Sequence, residues 1–172
     1  MLTNLQTIHA MLGISPAYWH NLIQTIPIEL LNRPPAPGHW SAYQCLQHII
    51  DVEHVFQSRL LAFLDRQESF PAFNPDAEGS QLIAEPSLTD LADEFSRLRA
   101  ESLLMIEKIE PADLSLESRH QELGLVTLEM MLNEWPAHDL NHTIQAGRAL
   151  MQPFIQACGP WAMYFSDHAF PD

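Results

Sequence analysis

The chain is poor in basic residues and in glycine, and it has no long apolar run. Only 8 Lys and Arg stand against 22 Asp and Glu in 172 residues, a formal charge of −14 at pH 7. No Lys/Arg cluster offsets that charge, so phosphate is repelled and nucleic acid is not an expected partner. No uninterrupted apolar stretch approaches the roughly 18 residues that cross a bilayer, so no membrane span is expected. The first twenty residues lack a basic segment followed by an apolar one, which argues against a secretory leader. Two cysteines, Cys45 and Cys158, cannot build a disulfide framework, and a reducing, cytoplasmic setting is the expectation. What remains is ordinary for a globular chain: 47% hydrophobic residues, and a length that suits one domain with a substantial core.

Helical periodicity dominates, and no run of alternating β-branched residues reads as a strand. Leu2, Leu5, Ile8 and Leu12 predict a short helix that Gly13 ends. Ser15 followed by Pro16 then reads as a new helix start, an N-cap acceptor before a residue that needs no hydrogen bond. That helix carries Trp19, Leu22, Ile23 and Ile26 and stops near Pro27. After the proline-rich turn 32–38, Ser41 and Gln44 have capping-box spacing and open a helix through Leu64. At about 100° per residue its Ala42, Cys45, Leu46, Ile49, Val52, Phe56, Leu60, Phe63 and Leu64 share one face. A surface loop is expected over 70–80. Ser87 and Asp90 cap a third helix that ends before Pro111, and residues 111–126 read as irregular. Thr127 opens a fourth helix to about Met151, and a short final helix is expected over 154–165. Four substantial helices with mostly short connections predict an all-α four-helix bundle with short additional helices at its termini.

Nine histidines are present, and three stand where a site could form. His138 and His142 are one helical turn apart on a stripe shared with Met131, Trp135, Ala146 and Ala149. That i, i+4 spacing lets two imidazoles hold one metal ion, and it equally suits hydrogen-bonded core histidines. His48 lies at the margin of the apolar stripe on the second long helix, where a bundle can turn it toward the fourth. Three imidazoles on two helices would leave coordination positions open to water or substrate. Glu53 is the one charged residue inside that helix's apolar arc. It either orients a ligand imidazole or, as the favoured reading, pairs with Arg59, Arg97 or Arg148. Gln145, one turn beyond His142, is a candidate to support the site. Asp139 lies well round the helix and reads as solvated, and Cys45 reads as a buried structural thiol. Pro136 reads as a kink just before the histidine pair. Nucleotide-binding loops, the serine-hydrolase elbow and the zinc-protease helix motif are all missing.

Two segments resemble the signatures of the DinB-like (YfiT-like) superfamily. The first is Arg33-Pro-Pro-Ala-Pro-Gly-His-Trp-Ser-Ala-Tyr-Gln-Cys-Leu-Gln-His48-Ile-Ile-Asp-Val-Glu53. The second is His120-Gln-Glu-Leu-Gly124-Leu-Val-Thr127 followed by Glu134-Trp-Pro-Ala-His138-Asp-Leu-Asn-His142-Thr-Ile-Gln145. The similarity spans roughly residues 15–165, so residues 1–172 are read as a single DinB-like domain. It implies a four-helix bundle, a homodimer, and a divalent metal held by His48, His138 and His142, with Glu53 and Gln145 as supporting candidates. Zn, Ni and Fe all suit imidazole ligands. Characterised branches of the superfamily transfer low-molecular-weight thiols such as bacillithiol or mycothiol to electrophiles, and one isomerises maleylpyruvate. The expectation is thus a metal-dependent thiol S-transferase or hydrolase acting on a small electrophile. A metal-binding or stress-associated interaction module without turnover is the alternative. No residue is assigned a catalytic role from the sequence.

Overall fold

The protein, described from a computed structural model over residues 3–73 and 87–170, is built on four long helices. They are α1 (Asn4–Thr25), α3 (Ala42–Leu64), α4 (Leu88–Ile106) and α5 (Leu128–Ala157), with a one-turn α2 (Ile28–Leu31) between the first two. Helix α1 packs against α4 and α5, and α3 against the same two. The ring order is therefore α1–α4–α3–α5, with chain-consecutive long helices α1 and α3 on a diagonal. None of the helices among the described residues is long and apolar enough to cross a membrane.

The caps read from sequence form as capping boxes: Ser41 with Gln44 at α3, and Ser87 with Asp90 at α4. Thr127 accepts from the Met130 amide at the start of α5. Each cap satisfies amides that have no partner inside the helix. The N-terminal helices, however, are one. Helix α1 runs through Gly13 and Pro16, and its own capping box is Thr3 with Gln6. Pro16 has no amide to offer the Leu12 carbonyl, which ought to interrupt the helix. Arg99 Nη1 supplies that hydrogen bond instead, at 2.9 Å. Ser15, expected as a cap, turns its hydroxyl to Asp139 Oδ2 at 2.7 Å. The break is prevented by a residue 87 positions away, which local spacing does not reveal.

Residues 111–126 are more regular than expected. Glu117–His120 (β2) and Gly124–Thr127 (β3) pair antiparallel, with Ser118 opposite Val126 and His120 opposite Gly124. A two-residue β1 (Ser69–Phe70) lies parallel to β2. The inward positions of β2 are Ser118 and His120, so the strand has no hydrophobic alternation to betray it. Gly124 has φ +80°, a conformation that glycine adopts without steric cost as β3 begins. Of the loop expected over 70–80, residues 74–80 lie outside the described residues. At the other end α5 continues through Pro153 to Ala157, and Gly159–Phe165 forms a 3-10 segment in place of a separate α-helix.

A polar layer divides the core. One apolar cluster holds Ile8, Leu12, Phe56, Leu60, Ile106, Leu132 and Trp135; the other holds Trp19, Leu46, Ile49, Leu91, Phe95, Leu98 and Ala146. Between them each long helix contributes a polar residue: Ser15, Glu53, Arg99 and Asp139. The Arg99 guanidinium, fully buried, uses all five N–H groups on Glu53, Asp139 and the Leu12 carbonyl. Glu53 also accepts from Ser102 Oγ (2.6 Å) and Trp135 Nε1 (3.1 Å). Buried charges persist only when paired and hydrogen-bonded, and these are.

Candidate metal centre

Helices α3 and α5 carry the three histidines to one wall of the bundle, at the level of the polar layer. One ring nitrogen from each of His48, His138 and His142 lies within 4.8 Å of the other two. His48 Nε2 and His138 Nε2 are 3.2 Å apart. For His142, Nδ1 hydrogen-bonds to Gln145 Oε1 at 2.9 Å. A side-chain carbonyl only accepts, so the proton sits on Nδ1 and the Nε2 lone pair is free to face the cluster. His138 Nδ1 is buried with no hydrogen-bond partner among the described residues. Packing fixes that ring instead, edge-on to Phe56 at 5.9 Å.

Aromatic side chains wall the cluster. Trp40, just ahead of the α3 cap, stacks on His142 at 5.7 Å and tilts over His48 at 4.8 Å. Phe73, just after β1, stacks on His48 at 6.4 Å. Burial, reinforced by His142, pushes the His48 pKa down to about 4. Burial and then the two neighbouring imidazoles bring His138 down to about 3, with Arg99 and Arg59 adding to the effect. Burial lowers His142 as well, partly opposed by Gln145 and Asp139. All three rings are thus neutral near pH 7 and keep a lone pair to donate.

The neighbours fall out differently from the sequence reading. Glu53 is buried, and its cation is Arg99 rather than Arg59, Arg97 or Arg148. Its hydrogen bonds go to Arg99, Ser102 and Trp135, in the layer behind the imidazoles. Asp139 is not solvated. It is 3% exposed and paired with Arg99 Nη1 at 2.7 Å, because α5 packs against α1 as well as α3. Cys45 is wholly buried, and burial pushes its thiol up to about 12. Sequence reasoning missed Arg99, Trp40 and Phe73. Arg99 carried a signal: it shares its helix face with Phe95 and Ser102, both buried.

Fold and site together define a four-helix bundle with a cluster of neutral imidazoles on an interhelical wall. The chain belongs to the DinB superfamily, whose family pattern matches residues 11–146 and so spans all three histidines. Among solved structures it is similar in fold to YfiT from Bacillus subtilis, with a TM-score of 0.71, 17% identity and 90% of each chain covered. That protein is described as a probable metal-dependent hydrolase with an unusual four-helix bundle topology. No curated protein matches the sequence.

Proposed function

We propose that this protein is a metal-dependent enzyme that activates water or a low-molecular-weight thiol against a small electrophile, as a hydrolase or thiol S-transferase. The observation that carries this reading is the convergence of three imidazole nitrogens within 4.8 Å. The donor set fits a divalent ion such as Zn, Ni or Fe. The Nε2 atoms of His48 and His138 stand 3.2 Å apart, close enough for one ion to be shared between them. His48, His138 and His142 would hold the ion. When bound, it would supply Lewis acidity and lower the pKa of a water or thiol presented to it.

The remaining groups bind, orient and exclude water. Gln145 fixes the His142 tautomer, so that Nε2 is the free donor. Trp40 and Phe73 cover the imidazole faces and lower the local dielectric. The Asp139 carboxylate is committed to Arg99 and Ser15, so it holds α5 in position rather than moving a proton. The likeness of fold to YfiT supports the hydrolase side of the reading. The test is turnover by metal-loaded protein on a panel of small esters, amides and alkylating electrophiles, with and without thiols. Saturable consumption that disappears in His142→Ala is the expected result. A loaded protein that consumes nothing and binds no thiol would instead be a metal-binding module without turnover.

A further inference from the structure

A largely apolar pocket lies beyond the imidazole cluster, where the hairpin meets α3 and α5. Its volume is about 380 Å³, and its walls include Arg59, Phe70, His120, Met131 and Glu134. His120 opens the second sequence signature, yet it has no place in the imidazole cluster. It is 7% exposed, and its Nδ1 accepts from the Glu122 and Leu123 amides at 3.1 and 3.2 Å. A neutral imidazole has a single acceptor nitrogen. With Nδ1 so used, the proton is on Nε2.

Arg59 Nη2 lies 3.2 Å from that same Nε2. Two donors therefore face each other, and no lone pair lies between them. Arg59 Nε is also buried with no partner among the described residues, while Phe70 covers the guanidinium at 5.4 Å. Unsatisfied buried donors cost free energy unless something accepts from them. We infer that this pocket is a binding site for a small monocarboxylate with an apolar body, whose two oxygens accept from Arg59 and from His120 Nε2. The carboxylate matches the planar guanidinium fork, and Phe70, Val126 and Met131 take the apolar part. Glu134, exposed at the rim, adds a negative charge that disfavours a dianion. Burial lowers the Arg59 pKa and Glu134 partly restores it, so Arg59 gains by acquiring an anionic partner.

The probe is hexanoate, titrated into metal-free protein and followed through the ring protons of His120 and Phe70 by NMR. Saturable shifts are expected, with hexanamide at least about tenfold weaker, because a charge-assisted hydrogen bond is lost. Arg59→Gln should weaken hexanoate by a similar factor. Glu134→Gln, a surface change that leaves the fold intact, should tighten it about two- to threefold, and His142→Ala should leave it unchanged. The inference fails if hexanamide binds as well as hexanoate, or if hexanoate does not saturate. It fails also if Arg59→Gln or Glu134→Gln has no effect while folding is retained. Loss of binding in His142→Ala would place the carboxylate at the imidazole cluster instead and equally overturn it.

Discussion

Replacing Arg99 by methionine removes the cation that bridges two buried carboxylates. Glu53 and Asp139 are 1% and 3% exposed, and the guanidinium approaches each at 2.7 Å. Breaking a buried ion pair from one side costs about 3–5 kcal/mol, because the surviving charge stays desolvated. Here two charges survive, and the Leu12 carbonyl freed by Pro16 also loses its donor. The lower bound is therefore about 4 kcal/mol. With a urea dependence of about 2 kcal/mol per molar, the unfolding midpoint should fall by about 2 M. At about 2–4 °C per kcal/mol for a chain of this size, the melting temperature should drop by at least about 8 °C. Far-UV circular dichroism under urea and heat measures both. Arg99→Lys keeps the charge but not the five-pronged fork, so it should lie between wild type and Arg99→Met. A midpoint for Arg99→Met within about 0.3 M of wild type would refute the idea that this layer holds the four helices in register.

Three further outcomes follow from the geometry. Gln145→Leu removes the acceptor that orients His142 and should weaken divalent-metal binding by about tenfold or more, measured by competition with a chromogenic chelator, with little change in melting temperature of the metal-free protein. Adding Ni²⁺ should quench tryptophan fluorescence, and Trp40→Phe should abolish most of that quench, since Trp40 is the tryptophan that packs on His48 and His142. Cys45, its thiol raised to about 12, has roughly one part in 10⁴ thiolate at pH 8, so iodoacetamide should not label it up to pH 9 in native protein. Mass spectrometry should find Cys45 modified only after unfolding.

The starts of α3, α4 and α5 and the imidazole spacing were legible in the sequence because both depend on local periodicity and caps. Ser41, Ser87 and Thr127 all begin helices where their side-chain acceptors predict. The misread elements share a different cause. Helix α1 continues because Arg99 serves Leu12, Asp139 is buried because α1 covers it, and β2 turns inward a serine and a histidine. In each case a distant partner overrides the local signal. His138 and His142 could be paired from spacing, but bringing His48 to them required the α3–α5 packing. Trp40 and Phe73 lie just outside α3 and in the segment after β1, where periodicity assigns no facing direction.

The central claim is that His48, His138 and His142 jointly hold one divalent ion. Elemental analysis of gently purified wild type, beside the single alanine variants of these residues, tests it directly. About one equivalent of ion in wild type and a sharp loss in each variant is the predicted pattern. A metal-free wild type that takes up no ion on reconstitution, or an alanine variant that retains full occupancy, would contradict it.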